Sequence, residues 1–120
     1  MNDLDAALAL WDALDDDAEV FFPVVVSNSK RAFYLEKPAN KEALVFRIFI
    51  SQDEAQSYVI QHRNSSISLA TSTVGHLLPS LERNLSRNID KKIDCVLSTL
   101  DMEGNFHAIE TIWSNSGQNL

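Results

Sequence analysis

The strongest fold signal in the chain is a hydrophobic run that leads straight into a helix start, Leu44-Val45-Phe46-Arg47-Ile48-Phe49-Ile50-Ser51-Gln52-Asp53-Glu54. Side chains alternate along a strand, so residues 44, 46, 48 and 50 share one face and residues 45, 47 and 49 share the other. Both faces are apolar apart from Arg47, which is typical of a strand covered on both sides. Ser51 is a candidate N-cap, and Glu54 three residues later completes a capping box. The run therefore predicts a buried strand followed by a helix that extends to about residue 63.

The residues before this run indicate a helix and then a hairpin. Apolar residues recur at three- and four-residue spacing over residues 3–18, which predicts an amphipathic helix. Residues 21–26 and 31–36 are rich in β-branched and aromatic side chains and predict two strands joined by a turn at residues 27–29. Pro23 has no N–H to donate, so we expect it at the start of its strand or on a sheet edge. Residues 37–41 form a loop.

The residues after the run indicate a second helix and a second hairpin. A short strand around Ile67 and Leu69 precedes a helical stripe over residues 74–85, which Pro79 interrupts. Because proline removes a helical hydrogen bond, the helix either kinks at Pro79 or begins near it. Residues 92–100 and 105–113 predict two strands around the loop at residues 101–104.

These elements together predict an α+β fold. We expect a mostly antiparallel sheet of about five strands, with two or three helices packed on one face. Residues 1–113 form the single domain, and residues 114–120 are a frayed C-terminal tail.

The negative charge of the chain is concentrated near its N-terminus. The whole chain has 10 Lys and Arg against 17 Asp and Glu, a net charge of −7. The first 29 positions contain no Lys or Arg and seven acidic residues, namely Asp3, Asp5, Asp12, Asp15, Asp16, Asp17 and Glu19. The rest of the chain has equal numbers of acidic and basic residues, so the excess of negative charge is local. A local excess predicts a contact surface more than a general contribution to solubility.

Two features of this charge pattern each allow two interpretations. Asp15, Asp16 and Asp17 fall at the negative end of the predicted N-terminal helix, where the dipole disfavours them, so they terminate that helix. They are then either a solvated helix end or a docking surface. Arg47, amid apolar strand residues, must reach water or pair with an acid. Its guanidinium either lies in solvent above a packed stem or clamps an anion or carboxylate.

The residues that usually carry catalysis or metal binding are scattered. His62, His76 and His107 are not within five residues of one another or of Cys95, so no local metal pair exists. Cys95 lies in an apolar strand, which predicts a small core residue, and His107 is expected to be a half-exposed sheet residue. The three glycines fit no phosphate or dinucleotide loop. We therefore predict no cofactor, metal or catalytic residue, although a site assembled in space stays open.

Several segments resemble the N-terminal domain type of the SseB family of small bacterial proteins. The matching pieces are the helix at residues 8–17, the strand Phe22-Pro23-Val24-Val25-Val26, the strand-to-helix junction at residues 48–55 and the helix at residues 77–88. They cover about half of the chain. The chain differs in having Ile50 where threonine is usual and in lacking the Asn-Pro that often follows the later helix. The resemblance implies an α+β binding module without a named enzymatic activity.

The composition narrows the class of function. A sequence pI of about 4.7 disfavours direct nucleic-acid binding, which needs clustered Lys and Arg. No apolar run approaches the ~20 residues of a membrane span. The single cysteine allows no internal disulfide and fits a reducing compartment, so we expect a cytoplasmic protein.

The function expected from these observations is a non-enzymatic interaction or regulatory module that binds a basic protein partner through its acidic N-terminal helix. The predicted partner-binding residues are Asp12, Asp15, Asp16, Asp17, Glu19 and Arg47. One alternative is a phage or mobile-element inhibitor that mimics nucleic acid. Another is a small-ligand-binding domain or enzyme whose site is not visible in the sequence. Homodimerisation through a free sheet edge also stays open.

Overall fold

The computed structural model describes residues 9, 12, 14–38, 42–62, 66–85 and 92–115. Within these residues six strands and two helices follow one another along the chain. They are β1 (Glu19–Ser27), β2 (Lys30–Phe33), β3 (Leu44–Ile48), α1 (Gln52–Gln61), β4 (Ile67–Thr73), α2 (Val74–Leu85), β5 (Ile93–Leu100) and β6 (Phe106–Ser114). The predicted α+β class is confirmed.

The strands form two sheets of three, and the prediction of one sheet of about five strands is wrong. The first sheet has the order β2-β1-β4 and is antiparallel throughout. The second has the order β3-β5-β6, with β3 parallel to β5 and β5 antiparallel to β6. Two single-residue bridges join the sheets, Phe21 to Phe49 and Glu36 to Val45.

The position of Pro23 explains where the sheets divide. It lies in the middle of β1, the central strand of its sheet, so the predicted place at a strand start or sheet edge is wrong. Its carbonyl accepts the N–H of Tyr34, just past the end of β2. In an antiparallel strand the N–H and C=O of one residue face the same neighbour, so the missing donor faces the side where β2 has ended. On that same side Phe21 exchanges two 2.8 Å bonds with Phe49, so β1 changes partner at Pro23.

The second helix contributes four of the twelve buried residues of the main core. Helix α2 begins at Val74 and contains Pro79, so the alternative that the helix begins near the proline is wrong. Its apolar stripe is confirmed: Leu77, Leu81 and Leu85 are buried together with strand residues from both sheets. A stripe that recurs every three or four residues can bury all its members against one surface.

The first helix packs on the other side of β1. Ala55 and Tyr58 of α1 form a second core cluster with Phe49, and Phe21 packs against it. Phe22, the next residue of β1, belongs to the main core with α2. Adjacent strand residues point to opposite faces, so the two helices lie on opposite faces of β1 and not on one shared face as predicted.

The local signals for helix and turn are largely correct. The turn between β1 and β2 has Asn28 and Ser29 at φ 51° and 67°, as a two-residue type I′ hairpin turn requires. Ser51 caps α1 by accepting the N–H of Glu54 at 3.4 Å, which confirms the N-cap. The Glu54 carboxylate does not complete a capping box. It accepts bonds from the Thr99 hydroxyl and from the backbone of β5.

The chain ends are described only in part. Ala9 and Asp12 are helical, whereas residues 14–18 are not, so the predicted end of the N-terminal helix at residue 18 is wrong. Strand β6 includes Ser114, one residue into the predicted tail. The remainder of the N-terminal helix, residues 39–41 of the predicted loop and residues 116–120 of the tail lie outside the described residues.

Candidate functional site

The three consecutive aspartates form an exposed turn immediately before β1. The carboxylate of Asp15 accepts the backbone N–H of Asp17 at 3.0 Å, and its carbonyl accepts the N–H of Ala18 at 3.1 Å. An aspartate that bonds the backbone two residues on closes a turn, and this ends the preceding helical segment. The side chains of Asp15, Asp16 and Asp17 are all exposed.

The backbone of this turn is tied to the start of α2. The N–H of Gly75 donates to the carbonyl of Asp16 at 2.9 Å, and the N–H of Val74 donates to the carbonyl of Ala18 at 2.9 Å. These donors belong to the first turn of α2, where no intrahelical acceptor exists. A Cβ on Gly75 would lie 2.8 Å from the Cβ of Asp16, so the close approach requires glycine.

The remaining acid of the cluster, Glu19, lies at the same place. It is the exposed first residue of β1 and pairs with Thr73, the residue immediately before α2. Here Asp15, Asp16, Asp17 and Glu19 are together called the acidic turn. The backbone of this segment lies against the N-terminus of α2, the end of a helix at which the dipole favours nearby negative charge. Sequence reasoning missed this contact, although a glycine in the first turn of a helix is a signal of close approach.

Two other predicted partner-binding residues, Asp12 and Arg47, do not belong to the acidic turn. Asp12 is helical and exposed. Arg47 belongs to β3 and donates from Nε to Glu36 at 3.2 Å and from Nη1 to the Ser98 hydroxyl at 3.0 Å. Its side chain is only 13% exposed, so the guanidinium clamps a carboxylate of its own chain and does not lie in water. A role for Arg47 in partner binding stays a prediction.

Glu36 is the centre of a polar network that sequence reasoning missed. Its carboxylate accepts the Tyr58 hydroxyl of α1 at 2.5 Å as well as Arg47, and His62 Nε2 lies 4.0 Å away. Burial alone would raise the pKa of Glu36, but the hydrogen bonds from Tyr58 and Arg47 and the charge of Arg47 lower it. Burial and the bond to Glu36 raise the pKa of the Tyr58 hydroxyl far above its usual value.

The contacts of this network indicate a structural role, in which strands and a helix are held together, more than a role in proton transfer. It links α1, β3, β5 and the residues after β2, which are distant in sequence. An ionised carboxylate with two donors has little tendency to take a proton, and a tyrosine of raised pKa does not readily lose one.

The hairpin between β5 and β6 carries a second acid–histidine contact. His107 Nε2 lies 2.6 Å from Asp101, whose other oxygen accepts the N–H groups of Glu103 and Asn105. The bond from His107, followed by that from Asn105, lowers the pKa of Asp101 to about 2. The His107 side chain is 44% exposed, as its predicted place on a half-exposed sheet indicates. These bonds close the hairpin loop.

The remaining candidates for chemistry are few. Cys95 is fully buried in the main core, which confirms its prediction as a core residue, and burial raises the pKa of its thiol. Among the residues described, no three His, Cys, Asp or Glu side chains are grouped so as to hold a metal ion. No helix in the same part of the chain is both long and apolar enough to cross a membrane.

Comparison with known families, curated proteins and solved structures finds no match to this chain. The resemblance to the SseB family therefore stays a prediction from the sequence. The function has to be argued from the charges and contacts of the chain itself.

Proposed function

We propose that the protein is a non-enzymatic interaction module that docks a basic protein partner through the acidic turn. The proposal rests on the exposure of the four carboxylates of this turn and on their lack of ion pairs. All four are exposed, and none forms an ion pair with a Lys, Arg or His of the described residues. Their charge is therefore available to a partner.

The anchoring of the acidic turn supports the same proposal. Two backbone bonds to the start of α2 and one side-chain bond within the turn hold it in a single shape. A surface that is ordered before binding loses less conformational entropy when the partner docks. Concentrated charge of one sign also steers an oppositely charged partner and raises the association rate, an effect that salt screens.

The test compares two triple variants that change the net charge equally. In the first, Asp15, Asp16 and Asp17 are all changed to Asn, which keeps the side-chain oxygen that closes the turn. In the control, three exposed acids elsewhere are neutralised, by Asp53→Asn, Glu103→Gln and Glu110→Gln. Each variant is immobilised beside the wild type, and the proteins it captures from lysate are identified at low and at physiological ionic strength.

We expect one specific partner to bind the wild type and the control but not the aspartate variant, and to bind more weakly as salt rises. The proposal is wrong if the aspartate variant captures the partner as well as the wild type does, or if the control loses it equally. DNA or RNA added as a competitor separates plain docking from the nucleic-acid mimicry considered above. Mimicry predicts that nucleic acid displaces the captured partner, because both would occupy the same basic site.

A further inference from the structure

A groove runs between the core-facing side of β2 and helix α2. It consists of two adjoining cavities of about 430 Å³ and about 230 Å³. Val24, Arg31, Phe33 and Ser80 line both cavities, so the two share a wall. The larger cavity by itself is within the range of roughly 300–1,000 Å³ that small-ligand pockets occupy.

The floor of the groove is apolar and aromatic. Phe22 and Phe33 line it and contact each other and Phe46 in tilted or edge-on geometry, with ring centroids 4.8–5.8 Å apart. Leu77 and Leu85 of α2 close the opposite wall. Phe33 is only half-buried, so part of its ring faces the open space. Covering such surface with an apolar ligand would remove it from water.

The rim of the groove carries an unpaired positive charge. Arg31 is exposed, and its guanidinium has no hydrogen bond or ion pair with any other described residue. It shares the core-facing side of β2 with Phe33, since side chains alternate, whereas Lys30 lies on the other side. The described lining contains no Asp or Glu. Ser80 adds a hydroxyl to the lining of both cavities, where it accepts the Asn84 amide at 3.2 Å.

We propose that this groove binds a small amphiphile with a carboxylate head, such as a medium-chain carboxylic acid. The apolar body lies on the floor of phenylalanine and leucine, and the carboxylate pairs with Arg31. Guanidinium matches a carboxylate with two parallel hydrogen bonds, which is the geometry that Arg provides and Lys does not. The choice of an anion follows from the charge of the rim. This proposal is independent of the acidic turn.

In the test, the full chain is titrated with decanoate, and binding is measured by isothermal titration calorimetry and by the changes in amide chemical shifts. Arg31→Gln and Lys30→Gln are compared, because they remove the same charge from neighbouring residues on opposite sides of β2. We expect decanoate to saturate one site, with shifts at β2 and α2. Arg31→Gln should weaken binding about tenfold, as loss of a charge-assisted hydrogen bond implies, and Lys30→Gln less than about twofold.

Decanol serves as the ligand without a charge. It should bind the wild type and Arg31→Gln equally, because it cannot pair with the guanidinium. Ser80→Leu, which fills the groove from the α2 side, should abolish binding of both ligands while circular dichroism stays unchanged. Absence of saturable decanoate binding, or equal effects of Arg31→Gln and Lys30→Gln, would overturn the proposal. Neither result would bear on partner docking at the acidic turn.

Discussion

Removing the charged pair of Glu36 and Arg47 should reveal how strongly the polar network joins the two sheets. The perturbation is a double-mutant cycle of Glu36→Gln, Arg47→Met and the two combined. Methionine keeps an unbranched apolar stem in β3, and glutamine keeps the shape of the acceptor. The cycle therefore isolates the interaction of the two charges.

The expected magnitudes follow from the bonds that each change removes. Arg47→Met removes the 3.2 Å bond to Glu36 and the 3.0 Å bond to Ser98. Charge-assisted bonds contribute about 1.5–3 kcal/mol and neutral bonds about 1 kcal/mol. The Glu36 side chain is 23% exposed and keeps its bond from Tyr58, so water and Tyr58 offset part of the loss. We expect Arg47→Met to cost about 2–3 kcal/mol and Glu36→Gln about 1–2 kcal/mol.

The assay is urea unfolding followed by circular dichroism at neutral pH. In the Glu36→Gln background Arg47→Met should cost only about 1 kcal/mol, a coupling of about 1–2 kcal/mol between the two sites. Glu110→Gln, at an exposed acid of β6, is the control and should change the free energy of unfolding by less than about 0.5 kcal/mol. A coupling within about 0.5 kcal/mol of zero would refute the reasoning, because that is the range of independent sites.

The same pair gives a pH dependence whose sign is fixed. The folded pKa of Glu36 is lower than its ordinary value of 4.5, so the stabilisation is complete above that pH. It is lost as the pH falls through the folded pKa, where the carboxyl takes up a proton. The difference in unfolding free energy between the wild type and Glu36→Gln should shrink below pH 4.5 and then vanish. A difference that grows on acidification would contradict the assignment.

Two further predictions concern the anchoring of the acidic turn and the main core. Gly75→Ala should destabilise the protein by about 1–2 kcal/mol, because displacing Asp16 costs more than the roughly 1 kcal/mol of helix propensity that alanine adds. Urea unfolding measures the cost, and a more stable variant would show that the close contact is easily relieved. The Cys95 thiol should react with a disulfide reagent at the rate of unfolding and faster in urea, because it is buried and its pKa is raised. Rapid labelling of the native protein would place the thiol nearer the surface than the structure does.

Much of the local structure follows from patterns that are short in sequence. The stripe of α2 repeats every three or four residues, and Ser51 stands directly before a helix, so both signals lie within one turn or two. The hairpin at Asn28 and Ser29 depends on residues that tolerate positive φ. Cys95 could be assigned to the core because its neighbours in the strand are apolar. Asp15 to Asp17 were correctly expected to end a helix, because their charges are unfavourable at the negative end of the helix dipole.

The sequence by itself determined the α+β class, most elements and the local excess of acid, because helical periodicity, strand alternation and turn chemistry act between near neighbours. Only the tertiary structure decided which strands pair. Pro23 lacks an N–H on the side of β1 where β2 ends, and this side becomes known only when the pairing of β1 with β2 is seen. The tertiary structure likewise brought Glu36 to Arg47 and set the acidic turn against Gly75. These contacts join residues far apart in the chain, where a charge or a glycine indicates that a partner is needed but does not identify it.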